Sequence, residues 1–135
     1  MTSDGMWELT KGFRFEAAHA LSGTTLGANS EEIHGHSFRA EIAVRGKPDP
    51  ATGMMVDLGR LEQSLAEIRG LLDHKFLNNV QGLEKPTLEH LAVFIWDRAK
   101  VAGRLTRVTV FRDSCSEKRP NGRWANRSGG ASAWG

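Results

Sequence analysis

The sequence predicts an α+β chain in which two helices lie on one face of a four-stranded antiparallel sheet. Three patterns carry this expectation. Two early segments, near residues 13–19 and 34–45, alternate apolar and polar residues with the period of a strand. Two later segments, 58–72 and 88–99, repeat apolar residues at three- and four-residue steps, which is the stripe of an amphipathic helix. A closing run, LTRVTVFR at 105–112, is rich in β-branched residues. The order strand, strand, helix, helix, strand lays both helices on the same side of the sheet, and a further short strand near the C-terminus completes four.

Taken in order, Phe13, Phe15, Ala17 and His19 alternate with Arg14, Glu16 and Ala18 in the first strand. The polar stretch SGTTLGANS reads as a loop. In the second strand His34, His36, Phe38, Ala40, Ile42 and Val44 share one face, and Ser37, Arg39, Glu41 and Arg45 the other. GKPDPATG is a turn by composition. Leu58, Leu61, Leu65, Ile68 and Leu72 mark the first helix, with Asp57 as its N-cap. LDHKFLNN and GLEKP form a connecting loop. Thr87 caps the second helix behind Pro86, its buried stripe runs through Leu88, Leu91, Ala92, Ile95 and Ala99, and Gly103 ends it. From residue 114 onward the composition is that of loop and tail. The expected organisation is one domain over residues 1–113 and a tail over 114–135.

Composition narrows the function. A chain of 135 residues with 39% apolar and 25% charged residues is an ordinary globular domain. No apolar run approaches the ~18 residues that cross a bilayer, so no membrane role is expected. The start, MTSDGMWELT, lacks a basic region followed by an apolar one. The single cysteine, Cys115, has no internal partner, and a reducing, cytoplasmic setting follows. A net charge of +2 is too small to argue for nucleic acid and suits a local basic rim around an anionic small molecule. So small a sheet leaves edges that self-association would cover.

The chain has five histidines, and two of them flank Gly35 in the stretch EEIHGHSFRAE. Residues two apart on a strand point the same way, so His34 and His36 converge. Gly35 keeps the opposite side of the strand open. His19 ends the apolar face of the first strand. If the two strands pair antiparallel, its ring joins the other two. Three neutral imidazoles with an open fourth position make a catalytic-type zinc site. The bland alternative is two surface histidines and one satisfied core histidine.

The surrounding motifs, FRFEAAHAL, IHGHSFRAEI, DPATGMMVDLGRLE, LDHKFLNN and KPTLEHLAVFIWD, resemble the family of 6-pyruvoyl- and 6-carboxytetrahydropterin synthases. The resemblance runs from about Phe13 to Val110 and is nearest to the bacterial 6-carboxytetrahydropterin synthases of queuosine synthesis. It implies a tunnelling fold whose subunits join sheet edge to sheet edge into β-barrels, commonly homohexamers built as dimers of trimers, with active sites between subunits. It implies Zn2+ held by His19, His34 and His36, an acid–base pair in Asp73 and His74, and pterin contacts from Thr87 and Glu89 at the helix start. The implied activity is that of a carbon–oxygen and carbon–carbon lyase. It removes triphosphate from 7,8-dihydroneopterin triphosphate and rearranges or cleaves the side chain at C6. The residue types fit: a metal acidifies the C–H bond beside a polarised oxygen, and histidine moves protons near neutrality. Apart from the resemblance, Asp73 and His74 read rather as a helix-end cap and a solvated imidazole.

Two positions depart from the family pattern. Ser30 stands four residues before the first histidine of HGH, where the family carries a catalytic cysteine, and a serine hydroxyl offers no comparable anion unless a partner activates it. Glu31, in E-x-x-H-G-H, matches a branch in which a glutamate replaces that cysteine and the product is 6-hydroxymethyl-7,8-dihydropterin for folate synthesis. Arg112 stands where the family has a pterin-anchoring glutamate. Arginine and the pterin edge both offer donors, so they do not pair. Asp113 is adjacent but points the other way unless a bulge at 112 re-aims it. A non-catalytic paralogue that binds zinc and a pterin is the third expectation.

Overall fold

The computed structural model describes residues 5–22, 32–99, 104–113 and 124–128. Strand β1 (Trp7–His19) pairs antiparallel with β2 (His34–Gly46) over the full length of both. Helix α1 (Leu58–Leu72) follows, then a two-residue strand β3 (Lys75–Phe76), a 3-10 turn (Leu77–Asn79) and helix α2 (Leu88–Arg98). Strands β4 (Arg104–Asp113) and β5 (Trp124–Ser128) close the chain. The sheet order is β3-β1-β2-β4-β5.

The α+β class and both helices stand as expected. The sheet does not: it has five strands and is mixed, because β3 runs parallel to β1 through Ala17–Lys75 and Ala18–Phe76. The loop expected at LDHKFLNN therefore adds a strand to the sheet edge. Residues 124–128, within the expected tail, form the further short strand expected near the C-terminus and pair antiparallel with β4. The first strand starts at Trp7 rather than Phe13. Gly103 and Cys115 lie outside the described residues.

One apolar core joins sheet and helices. Phe15, Ala17, Phe38, Ala40, Ile42, Val44, Val108 and Val110 meet Leu61, Leu65, Ile68 and Leu72 of α1 and Leu91, Ala92, Phe94 and Ile95 of α2. Phe15 and Phe38 are opposite each other in register and stack at 5.0 Å. Burying a side chain of this size contributes about 2 kcal/mol relative to leaving it in water. Both helices start as the sequence indicates. The Asp57 carboxylate accepts from the Arg60 N–H at 3.2 Å, and the Thr87 hydroxyl accepts from the His90 N–H at 3.2 Å. Gly12 is required where β1 crosses β2: a Cβ there would collide with the Ala40 carbonyl oxygen.

Candidate metal centre and its neighbours

The β1–β2 register sets His19 opposite His34 and Ala17 opposite His36. All three histidines fall on the helix-covered face at one end of the sheet. Their ring centroids lie 4.6 Å (His19–His34), 5.1 Å (His19–His36) and 4.7 Å (His34–His36) apart. One ligand nitrogen from each lies within 4.8 Å of the others. The Phe38 ring forms the floor, 5.7 Å from both His19 and His36.

Backbone carbonyls fix two of the rings. His19 Nδ1 is 3.0 Å from the Pro86 carbonyl oxygen, and His34 Nδ1 is 2.7 Å from that of Glu32. A carbonyl only accepts, so each Nδ1 carries the hydrogen and each Nε2 presents a lone pair. His19 is 2% exposed, and its Nε2 has no hydrogen-bond partner; neither has Nδ1 or Nε2 of His36. Each unmet buried nitrogen costs on the order of 1–3 kcal/mol. A divalent metal removes that cost, and three imidazoles are a donor set such ions take.

The electrostatics agree with a ligand role. Burial, above all, lowers the pKa of His19, opposed by the Pro86 hydrogen bond and helped by His34 and Arg112. Burial also lowers His36, to about 4, with Arg112 and the two other histidines adding to the effect. Both rings stay neutral at pH 7, which is the form that binds metal.

Two neighbouring elements anchor the centre. The carbonyl that bonds His19 belongs to the residue before the α2 cap, so α2 locks the ring. Asn78 grips Ala20, the residue after His19, donating to its carbonyl and accepting from its N–H, both at 2.9 Å. Nothing in the sequence marks the carbonyl partners, because any residue supplies one. Asn78 had a weak signal, the asparagine after LDHKFL.

The remaining site residues divide. Thr87 is half-buried with its hydroxyl engaged as the cap, and Glu89 is exposed in the first turn of α2. Arg112 is opposite Phe38 in register, and its charge acts on His19 and His36, so it belongs to the neighbourhood of the triad. The bulge considered at 112 is absent. Register is unbroken through Phe38–Arg112 and Ser37–Asp113, and the irregularity falls between Ala43 and Val44. Asp113 thus takes the register position on the opposite face from Arg112. Ser30 and Glu31 lie outside the described residues.

Asp73 and His74 meet each other rather than the triad. Asp73 ends α1. Its Oδ1 accepts from the Glu16 N–H at 2.9 Å, and its Oδ2 lies 3.0 Å from the Arg69 guanidinium. The Glu16 N–H bond is the leading cause that holds the Asp73 carboxyl below its ordinary pKa, with Arg69 and His74 contributing. His74 Nε2 is 3.6 Å from Asp73 Oδ2, too long for a hydrogen bond, and the ring is 79% exposed.

Fold and site together define a class: a small α+β chain with a three-imidazole centre between its first two strands. The model of the family "6-pyruvoyl tetrahydropterin synthase" matches residues 8–126. The chain is 37% identical over 103 residues to the 6-carboxy-5,6,7,8-tetrahydropterin synthase of Synechocystis, covering 73% of this chain and 78% of that protein. It is 30% identical over 125 residues to human 6-pyruvoyl tetrahydrobiopterin synthase, covering 77% and 83%. The structure of Caenorhabditis elegans 6-pyruvoyl tetrahydropterin synthase superposes with a TM-score of 0.73 at 23% identity, covering 92% and 96%. A Plasmodium vivax 6-pyruvoyltetrahydropterin synthase with a glutamate-to-cysteine change at a catalytic residue superposes at 0.56 and 13% identity, covering 91% and 98%. The chain belongs to the 6-pyruvoyl tetrahydropterin synthase family, and the tunnelling fold is its fold. No helix among the described residues is long and apolar enough to cross a membrane.

Proposed function

We propose that the chain is a zinc-dependent lyase that removes triphosphate from 7,8-dihydroneopterin triphosphate and cleaves or rearranges its C6 side chain, as a 6-carboxytetrahydropterin synthase does. One observation carries this reading. Three imidazoles, that of His19 buried and those of His34 and His36 half-buried, converge, and His19 and His36 carry unpartnered nitrogens, in a chain whose relatives are tetrahydropterin synthases.

His19, His34 and His36 hold the zinc. Bound there, the ion supplies Lewis-acid polarisation of the side-chain oxygens, which makes the neighbouring C–H bond acidic. His74 accepts and returns protons; imidazole suits both directions near neutral pH. Asp73 remains a carboxylate beside the ring. Thr87 and Glu89 contribute to the pterin pocket from the α2 start. Arg112 faces the acceptor or anionic part of the substrate, since a guanidinium only donates. Two subunits complete each site through their sheet edges. Support for this comes from β1, which among the described residues pairs with β3 at Ala17 and Ala18 and has no strand along its outer edge upstream of Arg14.

Ser30 and Glu31 separate two versions. The Plasmodium vivax structure is named for a glutamate-to-cysteine change at a catalytic residue, so a glutamate is a catalytic residue of that protein. In this chain Glu31 would fill that role and the product would be 6-hydroxymethyl-7,8-dihydropterin. Incubation of the metal-loaded protein with dihydroneopterin triphosphate distinguishes them. 6-Carboxytetrahydropterin supports the first version and 6-hydroxymethyl-7,8-dihydropterin the second. Unchanged substrate contradicts both and leaves a binding protein.

A further inference from the structure

The edge of β1 beside His19 is closed in an unusual way. A short strand, β3, pairs with Ala17 and Ala18. Upstream of that point, side chains from the end of α1 take the place of a strand. Arg69 Nε donates to the Arg14 carbonyl at 2.8 Å. Asp73 Oδ1 accepts from the Glu16 N–H at 2.9 Å, and the His74 N–H donates to the Glu16 carbonyl at 2.6 Å. Successive edge groups of β1 are thus met by Arg69, Asp73 and His74 in turn, before the β3 ladder begins.

The turn so formed is strained. His74 has φ 58°, the left-handed region, and no other non-glycine described residue has a positive φ. A side chain there costs about 1 kcal/mol or more. Such a conformation persists only where its surroundings enforce it. Arg69 is placed to do so. Its guanidinium reaches Asp73 Oδ2 at 3.0 Å and the Arg14 carbonyl at once, tying the helix end to the strand. The Asp73 N–H returns to the Arg69 carbonyl at 2.7 Å. A planar fork with fixed donors makes two such contacts together; an ammonium on a flexible stem does not.

We propose that Arg69 is a positioning residue for His74: by bridging Asp73 and the Arg14 carbonyl it enforces the left-handed turn that carries the imidazole. This rests on the reading of His74 as the proton-transfer group. Arg69 touches no reacting atom. It acts by holding the residue that does, and small misplacements of such a group cost on the order of 100-fold in rate.

The test uses the full-length, metal-loaded protein with Arg69→Ala and Arg69→Lys, alone and combined with His74→Ala. Arg69→Ala is expected to lower kcat about 100-fold with KM within about threefold. Added guanidinium should restore part of the loss, and Arg69→Lys should fall between wild type and alanine. In the His74→Ala background, Arg69→Ala should lower kcat no further, because its whole effect passes through that ring. A loss below about threefold, an additive double variant, or a loss confined to KM would overturn the proposal.

Amide hydrogen exchange over residues 72–77 gives a second reading that needs no turnover. Exchange at least tenfold faster in Arg69→Lys, with the rest of the chain unchanged, supports the positioning role. Unchanged exchange refutes it. If His74→Ala alone keeps full activity, the proton-transfer reading of His74 fails, while exchange still decides whether Arg69 enforces the turn. Arg69→Lys also keeps the charge, so it serves if the alanine variant does not fold.

Discussion

The two regions of the proposed site are built in opposite ways. The histidine triad stands on two long strands paired in unbroken register along β1 and β2, over an aromatic floor, with the His19 and His36 rings held neutral by burial. The Asp73–His74 pair stands on a turn, with a strained backbone, an exposed ring, and side chains standing in for a strand. A metal centre needs several donors fixed relative to one another, and strand pairing supplies that at no local cost. A proton-transfer group needs access to substrate and solvent, and a held turn supplies that. Perturbation should therefore separate the two regions: changes at the triad remove metal, and changes at the turn remove turnover while metal stays.

The largest effect belongs to the ligands. His34→Ala should reduce bound zinc from roughly one per chain to a small fraction, measured by elemental analysis after dialysis. Full occupancy would remove His34 from the centre. Next comes the floor. Phe38→Ala deletes the ring beneath His19 and His36 and should cost about 3–5 kcal/mol in urea unfolding, with weaker metal binding alongside. At the turn the pattern inverts. His74→Gly should lower kcat by roughly 10²–10⁴, yet leave stability unchanged or raised by up to about 1 kcal/mol, because glycine relieves the positive φ. A large loss of stability would mean that the turn is not strained.

The smallest effect is acidic. Asp73 has a folded-state pKa below its ordinary 3.8, so the folded form binds the proton less readily than the unfolded one. Its contribution to stability is present above pH 3.8 and is lost as pH falls through the lower folded value. Asp73→Asn should flatten the stability curve in that acid window and leave its shape near neutrality alone. An unaltered acid limb would show that the Glu16 and Arg69 contacts are weak in solution.

What the sequence revealed follows the same division. The triad was legible because strand alternation and an antiparallel register suffice to bring His19 to His34 and His36. Both helices were legible from their stripes and from Asp57 and Thr87. The onset of β1 was hidden because Lys11 sits on the core face, where an apolar residue is expected; it is accommodated by an ion pair with Glu62 of α1. Strand β5, WANRS, has no apolar alternation and is recruited through the backbone of β4. Strand β3 is two residues long, too short for any period to register. The Asp73 contact with the Glu16 N–H and the Arg69 contact with the Arg14 carbonyl join residues more than fifty positions apart through backbone groups, and a single sequence carries no trace of such partners.

The central claim is that one metal ion is held by three imidazole rings from two neighbouring strands. Zinc K-edge X-ray absorption on the purified protein reads the ligand shell directly. The expected result is three imidazole nitrogens at about 2.0–2.1 Å with one lighter oxygen donor. A sulfur scatterer at about 2.3 Å, implicating Cys115, or fewer than three imidazoles, would contradict it.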